Sequence, residues 1–185
     1  MAILGVDDMK AKLVGGGARP NLFKVTMNFP SFVTADTSLA SYMCKAASLP
    51  ASTIAPIPVP FRGRQLQIAG DRTFEPWNIT VINDTDFNVR NSFEQWMNGI
   101  NQHEENTGLT QPSSYMADMV VEQLDKDGSV KKYYDIRGTW PSALGEIAVD
   151  YSQENVIEEF TVELQVQYWE AIKGSGPNAG GENVN

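Results

Sequence analysis

At 185 residues, the chain is long enough to form one compact domain with a sizeable core. A hydrophobic fraction of 42% excludes wholesale disorder, and no apolar run approaches the roughly 18–20 residues that cross a bilayer, so we expect no stable membrane insertion. The net charge of −9 disfavours a protein that grips DNA, because affinity for DNA comes largely from neutralising phosphates.

The N-terminal stretch MAILGVDDMKAKLVGGG predicts a flexible arm over residues 1–18, because three consecutive glycines oppose regular structure. Its early acids are unlike the positive start of a secretory signal, so we expect a protein made and initially kept in a cytoplasm. The next stretch, RPNLFKVTMNF, predicts a half-buried strand, since apolar residues occupy every second position, namely Phe23, Val25, Met27 and Phe29.

SYMCKAASL is a second predicted strand, and Pro50 closes it. In the following APIPVPF, prolines 56, 58 and 60 cannot donate to a ladder, so this segment is expected to be an edge, a loop or an extended arm. RQLQIAG and WNITVIND are then predicted to be a pair of strands joined by GDRTFEP.

The period changes to that of a helix near residues 86–101, where Asp84 or Asp86 is available as the N-cap. The apolar stripe of this predicted helix is far more typical of core packing than of a cofactor site, and it comprises Val89, Phe93, Trp96, Met97 and Ile100.

YMADMVVEQL and VKKYYDIRG flank DKDGS, which predicts a hairpin. A calcium loop is much less favoured there, because its glycine belongs at the sixth position and a glutamate at the twelfth. GEIAVDYS and EEFTVELQVQYWE are predicted as the last two strands. In the final one, residues 160–168 alternate between an apolar face and a polar face that includes Glu163, Gln165 and Gln167. The domain is therefore predicted over 19–170, with a flexible tail over 171–185.

No signature of a catalytic, metal or cofactor site emerges from the sequence. Cys44 and His103 are the single cysteine and histidine, and a half-buried structural Cys44 is a better interpretation than a catalytic pair. Asp71 and Glu75 could be imagined as acid and base, but such pairs occur by chance in any acidic chain. We therefore predict a mainly β sandwich or barrel with one flanking helix, with no enzymatic activity, metal or cofactor, whose edges and arms suit self-association.

Several blocks, taken together, resemble a known family. They are ARPNLFKV (18–25), CKAASLPAS (44–52), IPVPFRGRQLQIAGDRTFEPWNITVIND (57–84), WPSALGEIAVDY and EFTVELQVQYWE. In this order they resemble the tail tube proteins of contractile-tailed, myovirus-type bacteriophages, and the resemblance runs from about Ala18 to Glu170. The chain departs from the family in a longer N-terminal arm, an extra segment near 30–43 and a glycine-rich tail.

The resemblance implies a virion protein that is assembled in the host cytoplasm and has no cofactor. Six copies would close into a ring, with their sheets joined into an inner barrel, and rings would stack into a hollow tube. The tube would lie inside a contractile sheath and contact the tail sheath, baseplate and tail terminator proteins. DNA would pass through it without specific binding.

Two surfaces acquire candidate roles from this resemblance. Arg62, Arg64 and Arg72, with Asp71, are candidates for contacts between rings, since guanidinium groups pair well with carboxylates. Glu163, Gln165 and Gln167 are candidates for the lumen wall, in a segment from Glu146 to Glu170 that holds seven acids and no lysine or arginine. Two alternatives remain open: a baseplate protein that initiates the tube, and a monomeric ligand-binding β-domain that uses Trp140 or Trp169.

Overall fold

The computed structural model describes the backbone of residues 5–174 and the side chains of residues 5–13 and 15–171. Four α-helices lie in this part of the chain: α1 (Val6–Lys12), α2 (Thr37–Met43), α3 (Asn88–Ile100) and α4 (Pro112–Tyr115). The same part contains nine strands: β1 (Phe23–Met27), β2 (Cys44–Ala47), β3 (Ser52–Phe61), β4 (Arg64–Phe74), β5 (Trp77–Ile82), β6 (Ala117–Leu124), β7 (Val130–Leu144), β8 (Glu159–Gln165) and β9 (Tyr168–Gly174). The predicted mainly β fold is confirmed.

Two antiparallel sheets share the long strand β7. In the first sheet the order is β1-β6-β7-β9, and the N-terminal part of β7 supplies the pairing with β9. From Trp140 onward β7 pairs with β8, so the second sheet has the order β7-β8-β5-β2. The sheets do not close into a barrel within one chain, and β1, β2 and β9 remain as edges in the described structure.

The core lies between the inward faces of the two sheets and one face of α3. Alternation along the strands supplies it, as the sequence predicts, because successive strand residues point to opposite faces. Its largest buried side chains are Trp77, Trp96, Phe93, Phe160, Met27, Ile79, Met119, Ile136 and Leu164.

Helix α3 covers the core with the predicted stripe. Val89, Phe93 and Trp96 are buried, whereas Met97 and Ile100 are half-buried. The indole Nε1 of Trp96 donates to the carbonyl oxygen of Tyr115 at 2.7 Å, so this large ring is buried without an unpaired donor.

Four strand predictions are wrong in detail. β4 pairs with β3 and not with β5, so the turn of that hairpin lies at Arg62–Gly63 rather than at GDRTFEP. GEIAVDYS forms no strand, and the final predicted strand is divided into β8 and β9. The SYMCKAASL strand is shortened, because residues up to Met43 belong to α2.

The predicted hairpin around DKDGS is confirmed as β6–β7, with Gly128 at φ 81° in its turn. Asp125 pairs with Lys131 at 2.9 Å, so the carboxylates of this turn have partners within the hairpin.

Both ends of the chain extend beyond the described residues. Within the predicted arm, α1 and a 3-10 turn at Val14–Gly16 are present, and α1 buries no residue. The predicted tail over 171–185 lies mostly outside the described residues, and its first four residues belong to β9. Among residues 5–174, none of the helices combines the length and the apolar character needed to span a bilayer.

Candidate assembly surfaces

The first surface is the hairpin formed by β3 and β4, which forms a separate two-stranded sheet. Its loop is the two residues Arg62 and Gly63, with φ values of 47° and 82°. Two positive φ angles are those of a type I′ turn, whose twist matches that of paired strands, and glycine adopts them without strain. FRGR therefore specifies the tip of a tight hairpin.

One face of the hairpin is apolar although it lies in solvent. The register pairs Ile57 with Ile68 and Val59 with Leu66, so these side chains share a face with Phe61. All five are exposed, and Phe61 near the tip retains 67% of its accessible surface. Contiguous exposed apolar surface is typical of a binding site for another protein.

The opposite face is where the prolines lie. Pro56, Pro58 and Pro60 are paired with Ala69, Gln67 and Gln65. Because alternate residues of a strand direct their N–H groups to opposite sides, these prolines remove donors only from the outer edge of β3. From Pro56 to Phe61 the ladder to β4 is continuous, and the outer edge of β3 is protected against strand addition.

The candidate arginines lie at two different places on this hairpin. Arg62 and Arg64 lie at the tip, where the guanidinium carbon of Arg62 is 5.4 Å from the ring centre of Phe61. Arg72 pairs with Ile54 near the root, eight residues or about 26 Å of strand from Arg64, and exposed Asp71 precedes it. Among the described residues, none of the ion pairs involves these three arginines.

The root of the hairpin is fixed to the domain. Phe74 packs edge-on against Trp169 with ring centres 6.2 Å apart, and Trp169 Nε1 donates to the carbonyl oxygen of Ala51 at 3.2 Å. Trp169 is thus a packing residue at this junction. Gly70 permits the bulge there, since a Cβ at this position would lie 2.6 Å from the backbone oxygen of Ala55.

The second surface is the polar face of the second sheet. Glu163 and Gln165 lie together on β8, where the Ser142 hydroxyl donates to Glu163 Oε1 at 2.8 Å and accepts from Gln165 Nε2 at 3.2 Å. Gln167 does not belong to this group, because it lies between β8 and β9 and its backbone N–H donates to Arg137. The structure therefore brings together two of the three lumen candidates.

The third surface is a loop that the sequence did not predict, because GEIAVDYS has the alternating apolar pattern of a strand. The acidic loop, residues 145–158, joins β7 to β8 and exposes four large apolar side chains: Val149, Tyr151, Val156 and Ile157. The loop also forms the wall of an open cleft of about 570 Å³. Apolar side chains line this cleft together with the acids Asp150, Glu158 and Glu159. The run of acids without a base, visible in the sequence, was the available signal for it.

Cys44 has the properties of a structural thiol. Burial raises the pKa of Cys44 to about 12, although a hydrogen bond with the backbone of Ala46 opposes the change. A catalytic thiol needs a lowered pKa, so Cys44 is protonated and unreactive at neutral pH. His103 is exposed in the loop after α3, on a different element from Cys44.

The sequence matches a known family over most of its length. The family described as Phage tail tube protein matches residues 18–172. Tail tube protein gp19 of Enterobacteria phage T4 is 37% identical over 168 residues, which cover 89% of this chain and 99% of the relative. The tail tube protein of Serratia phage KSP90 is 34% identical over 160 residues, which cover 85% and 89% of the two chains.

Solved structures share the fold at low sequence identity. A chain of the anti-feeding prophage tube-terminating cap is 15% identical with a TM-score of 0.65, covering 85% of this chain and 92% of that one. A chain from the sheath-tube complex of an extracellular contractile injection system, in its extended state, is also 15% identical with a TM-score of 0.54, covering 88% and 97%. At such identity the likeness concerns the fold alone. The match over residues 18–172 and the relatives at 34–37% identity show that this chain belongs to the phage tail tube protein family.

Proposed function

We propose that this chain is the repeating subunit of a bacteriophage tail tube, a hollow conduit for the genome inside a contractile sheath. The observation that carries the proposal is the match to curated tail tube proteins over nearly the full length of both chains. The role is structural and not enzymatic, in keeping with the protonated thiol of Cys44.

Six copies close into a ring through two different patches on each subunit, arranged head-to-tail. Such a heterologous contact forms a closed ring when six repeats of the rotation between neighbouring subunits make a full turn. It leaves both faces of the ring free to stack. The open edges β1, β2 and β9 support this step, because strand pairing between neighbours would satisfy their unpaired backbone groups. The joined sheets then form the inner barrel of the tube.

The hairpin contributes to contacts between rings. Its exposed apolar face and the arginines Arg62 and Arg64 at its tip support this assignment, since guanidinium groups form strong paired hydrogen bonds with carboxylates. Arg72 and Asp71 lie near its root and would meet a different part of the neighbouring subunit.

The lumen wall is assigned to the polar face of β8, with Glu163 and Gln165. Carboxylates repel phosphate and amides carry no net charge, so DNA would pass without specific binding. The outside of the tube contacts the sheath, while the baseplate and terminator proteins bind its two ends.

Electron microscopy of the purified protein in negative stain tests this function. We expect long hollow tubes with six-fold rings. Single rings that never stack would favour a baseplate tube initiator, and featureless monomers would favour a ligand-binding domain. Either result would contradict the proposal.

Charge reversal separates folding from assembly. The variant Arg62→Glu/Arg64→Glu should keep the wild-type circular dichroism spectrum and lose tubes, because both side chains are exposed and make no ion pair among the described residues. The variant Lys10→Glu/Lys12→Glu on exposed α1 carries the same change of charge and should still polymerise. Normal tubes from the hairpin variant would end this assignment.

A further inference from the structure

We infer that the tip of the hairpin of one copy docks in the cleft of the acidic loop of another copy. This inference rests on the proposed function, and it identifies the surface of the neighbouring copy that the hairpin would contact. Four observations support it: the position of the two surfaces on the sheet, their charge, their apolar exposure and their shape.

The two surfaces leave the second sheet at opposite ends. The hairpin joins the domain at the start of β5, where Trp77 pairs with Leu164 at the end of β8. The acidic loop joins at the start of β8, where Glu159 pairs with Ile82 at the end of β5. Five residues of strand, about 17 Å, separate these junctions. A contact between the hairpin of one copy and the acidic loop of another can therefore repeat from copy to copy along a stack.

The charges are complementary. The hairpin carries Arg62, Arg64 and Arg72 against the single acid Asp71. The loop carries Glu146, Asp150, Glu154 and Glu158 and no base. In residues 5–174 no lysine or arginine forms an ion pair with any of these four carboxylates. Each surface therefore presents the counter-ions that the other lacks.

The apolar parts are complementary as well. Phe61 projects near the convex tip, and Val149 and Ile157 line the concave cleft. The cleft volume of about 570 Å³ is within the range of roughly 300–1,000 Å³ that is typical of sites enclosing a compact group. A few side chains buried in well-packed pockets give protein contacts most of their binding energy, and Phe61 in this cleft would be such an anchor.

Neither surface is covered within its own chain. Phe61 keeps 67% of its accessible surface, Val149 keeps 81%, and Tyr151 is fully exposed. No hydrogen bond joins the hairpin to the loop in the described part of the chain. The loop is held at its ends, since Gly145 N–H donates to Thr161 and Asn83 Nδ2 donates to Glu158 Oε2 at 3.0 Å. These hydrogen bonds fix both ends of the loop, and its cleft remains open to a group from another copy.

Disulfide trapping tests the contact directly. In a Cys44→Ser parent, Gln65→Cys near the hairpin tip is combined with Gln153→Cys in the loop, which leaves Phe61 and all charged residues unchanged. After assembly and mild oxidation, we expect a ladder of covalent dimers, trimers and longer chains. A matched variant pairs Gln65→Cys with Tyr42→Cys, at an exposed position of α2, and should give at least ten-fold fewer multimers.

The outcomes distinguish this inference from the proposed function. Tubes without a ladder from the Gln65/Gln153 pair would overturn the docking contact and leave the tube function intact, the loop then being free to bind the sheath. A parent that forms no tubes would overturn both. An equal ladder from the Tyr42 variant would also count against the specific contact.

Charge exchange gives a second test if the cysteine pair itself stops assembly. Arg62→Glu/Arg64→Glu should abolish tubes, and adding Asp150→Lys/Glu154→Lys should restore at least a tenth of the wild-type tube mass. Folded protein that stays unassembled after the exchange would contradict the inference.

Discussion

Asp84 determines where α3 begins. Its carboxylate accepts hydrogen bonds from the backbone N–H groups of Asn88 and Val89 at 3.0 and 3.1 Å, although the residue directly before the helix is Phe87, with φ 57°. The sequence offered Asp84 and Asp86 as caps, and the structure selects Asp84 for the capping hydrogen bonds. Two otherwise unpaired donors of the first turn are thereby satisfied.

The variant Asp84→Ala should lower the free energy of unfolding by about 1 kcal/mol at pH 7. Burial alone would raise the pKa of Asp84, but the hydrogen bonds from Asn88 and Val89 outweigh it and hold the pKa below its usual value. The stabilisation is therefore complete above the unfolded-state pKa and disappears as the pH falls through the lower folded-state pKa. Urea unfolding between pH 7 and pH 3 measures this. Asp86→Ala, at an exposed neighbour, should have little effect, and equal losses from both would contradict the cap.

Arg137 holds two carboxylates on the first sheet. It pairs with Asp118 at 2.6 Å and also with Asp135, which is only 5% exposed. Burial raises the pKa of Asp135, Arg137 opposes this, and the charges of Asp118 and Glu170 add to it. Removing the arginine would leave a buried carboxylate without a counter-ion.

Arg137→Met should therefore cost about 2–3 kcal/mol of unfolding free energy at pH 7, below the full value for a buried pair because Arg137 is partly exposed. Because the folded-state pKa of Asp135 is raised, the penalty is present above that pKa and is relieved as the pH falls through it. Denaturation at pH 7 and pH 4.5 should show the deficit shrinking, and adding Asp135→Asn should recover part of it at pH 7. Lys24→Met, which breaks the pair between exposed Lys24 and half-buried Glu122, should cost under about 1 kcal/mol.

At the scale of elements, α3 is held by aromatic packing. The ring of Phe93 contacts those of Phe29 at 5.2 Å and Phe160 at 6.4 Å between centres, and stacks beside Trp96. Phe93 is wholly buried, so its removal leaves a cavity that the surrounding sheets cannot fill.

Phe93→Ala should lower the free energy of unfolding by about 3–5 kcal/mol. Thermal and urea denaturation of the purified protein measure it. The matched change Asn91→Ala, on the exposed side of the same helix, should stay within about 0.5 kcal/mol. A loss below 1 kcal/mol at Phe93 would mean that α3 does not close the core.

The elements differ in how far the sequence could predict them, for physical reasons. Helix α3 and the β6–β7 hairpin follow from local period and turn chemistry. The β3–β4 pairing is less predictable, because three prolines leave an edge, a loop and an extended arm all open. In the structure they lie at alternate positions and leave every N–H that faces β4 intact. The break between β8 and β9 was hidden because alternation continues through Val166, although the chain crosses there from one sheet to the other.

At the scale of the whole molecule, one candidate surface was predictable and another was not. The arginine-rich tip follows from FRGR, whose glycine specifies a tight turn. Residues 145–152 of the acidic loop were predicted as a strand, since apolar residues in GEIAVDYS occupy positions that a sheet would bury. Which apolar positions remain exposed depends on the neighbouring strand, and no local pattern contains that information.

The two sides of the molecule lead to a final prediction about DNA passage. The polar face of β8 points away from the core, and α3 packs on the core side of the same strand through Phe93 and Phe160. Lysines on β8 would attract phosphate at the proposed lumen wall within the screening length of about 8 Å, whereas lysines on the exposed side of α3 would not reach DNA.

The variant Glu163→Lys/Gln165→Lys should slow DNA ejection from assembled particles, measured by the release of a fluorescent DNA stain over time. Asn91→Lys/Glu94→Lys on α3 makes the same change of three charges and should eject normally, provided that both variants form tubes of wild-type length. Gln167→Lys should also have little effect, because Gln167 lies apart from the β8 polar group, in the exposed connection from β8 to β9. Unchanged ejection from the β8 variant would place this face away from the lumen, and the wall would then have to be sought on the first sheet.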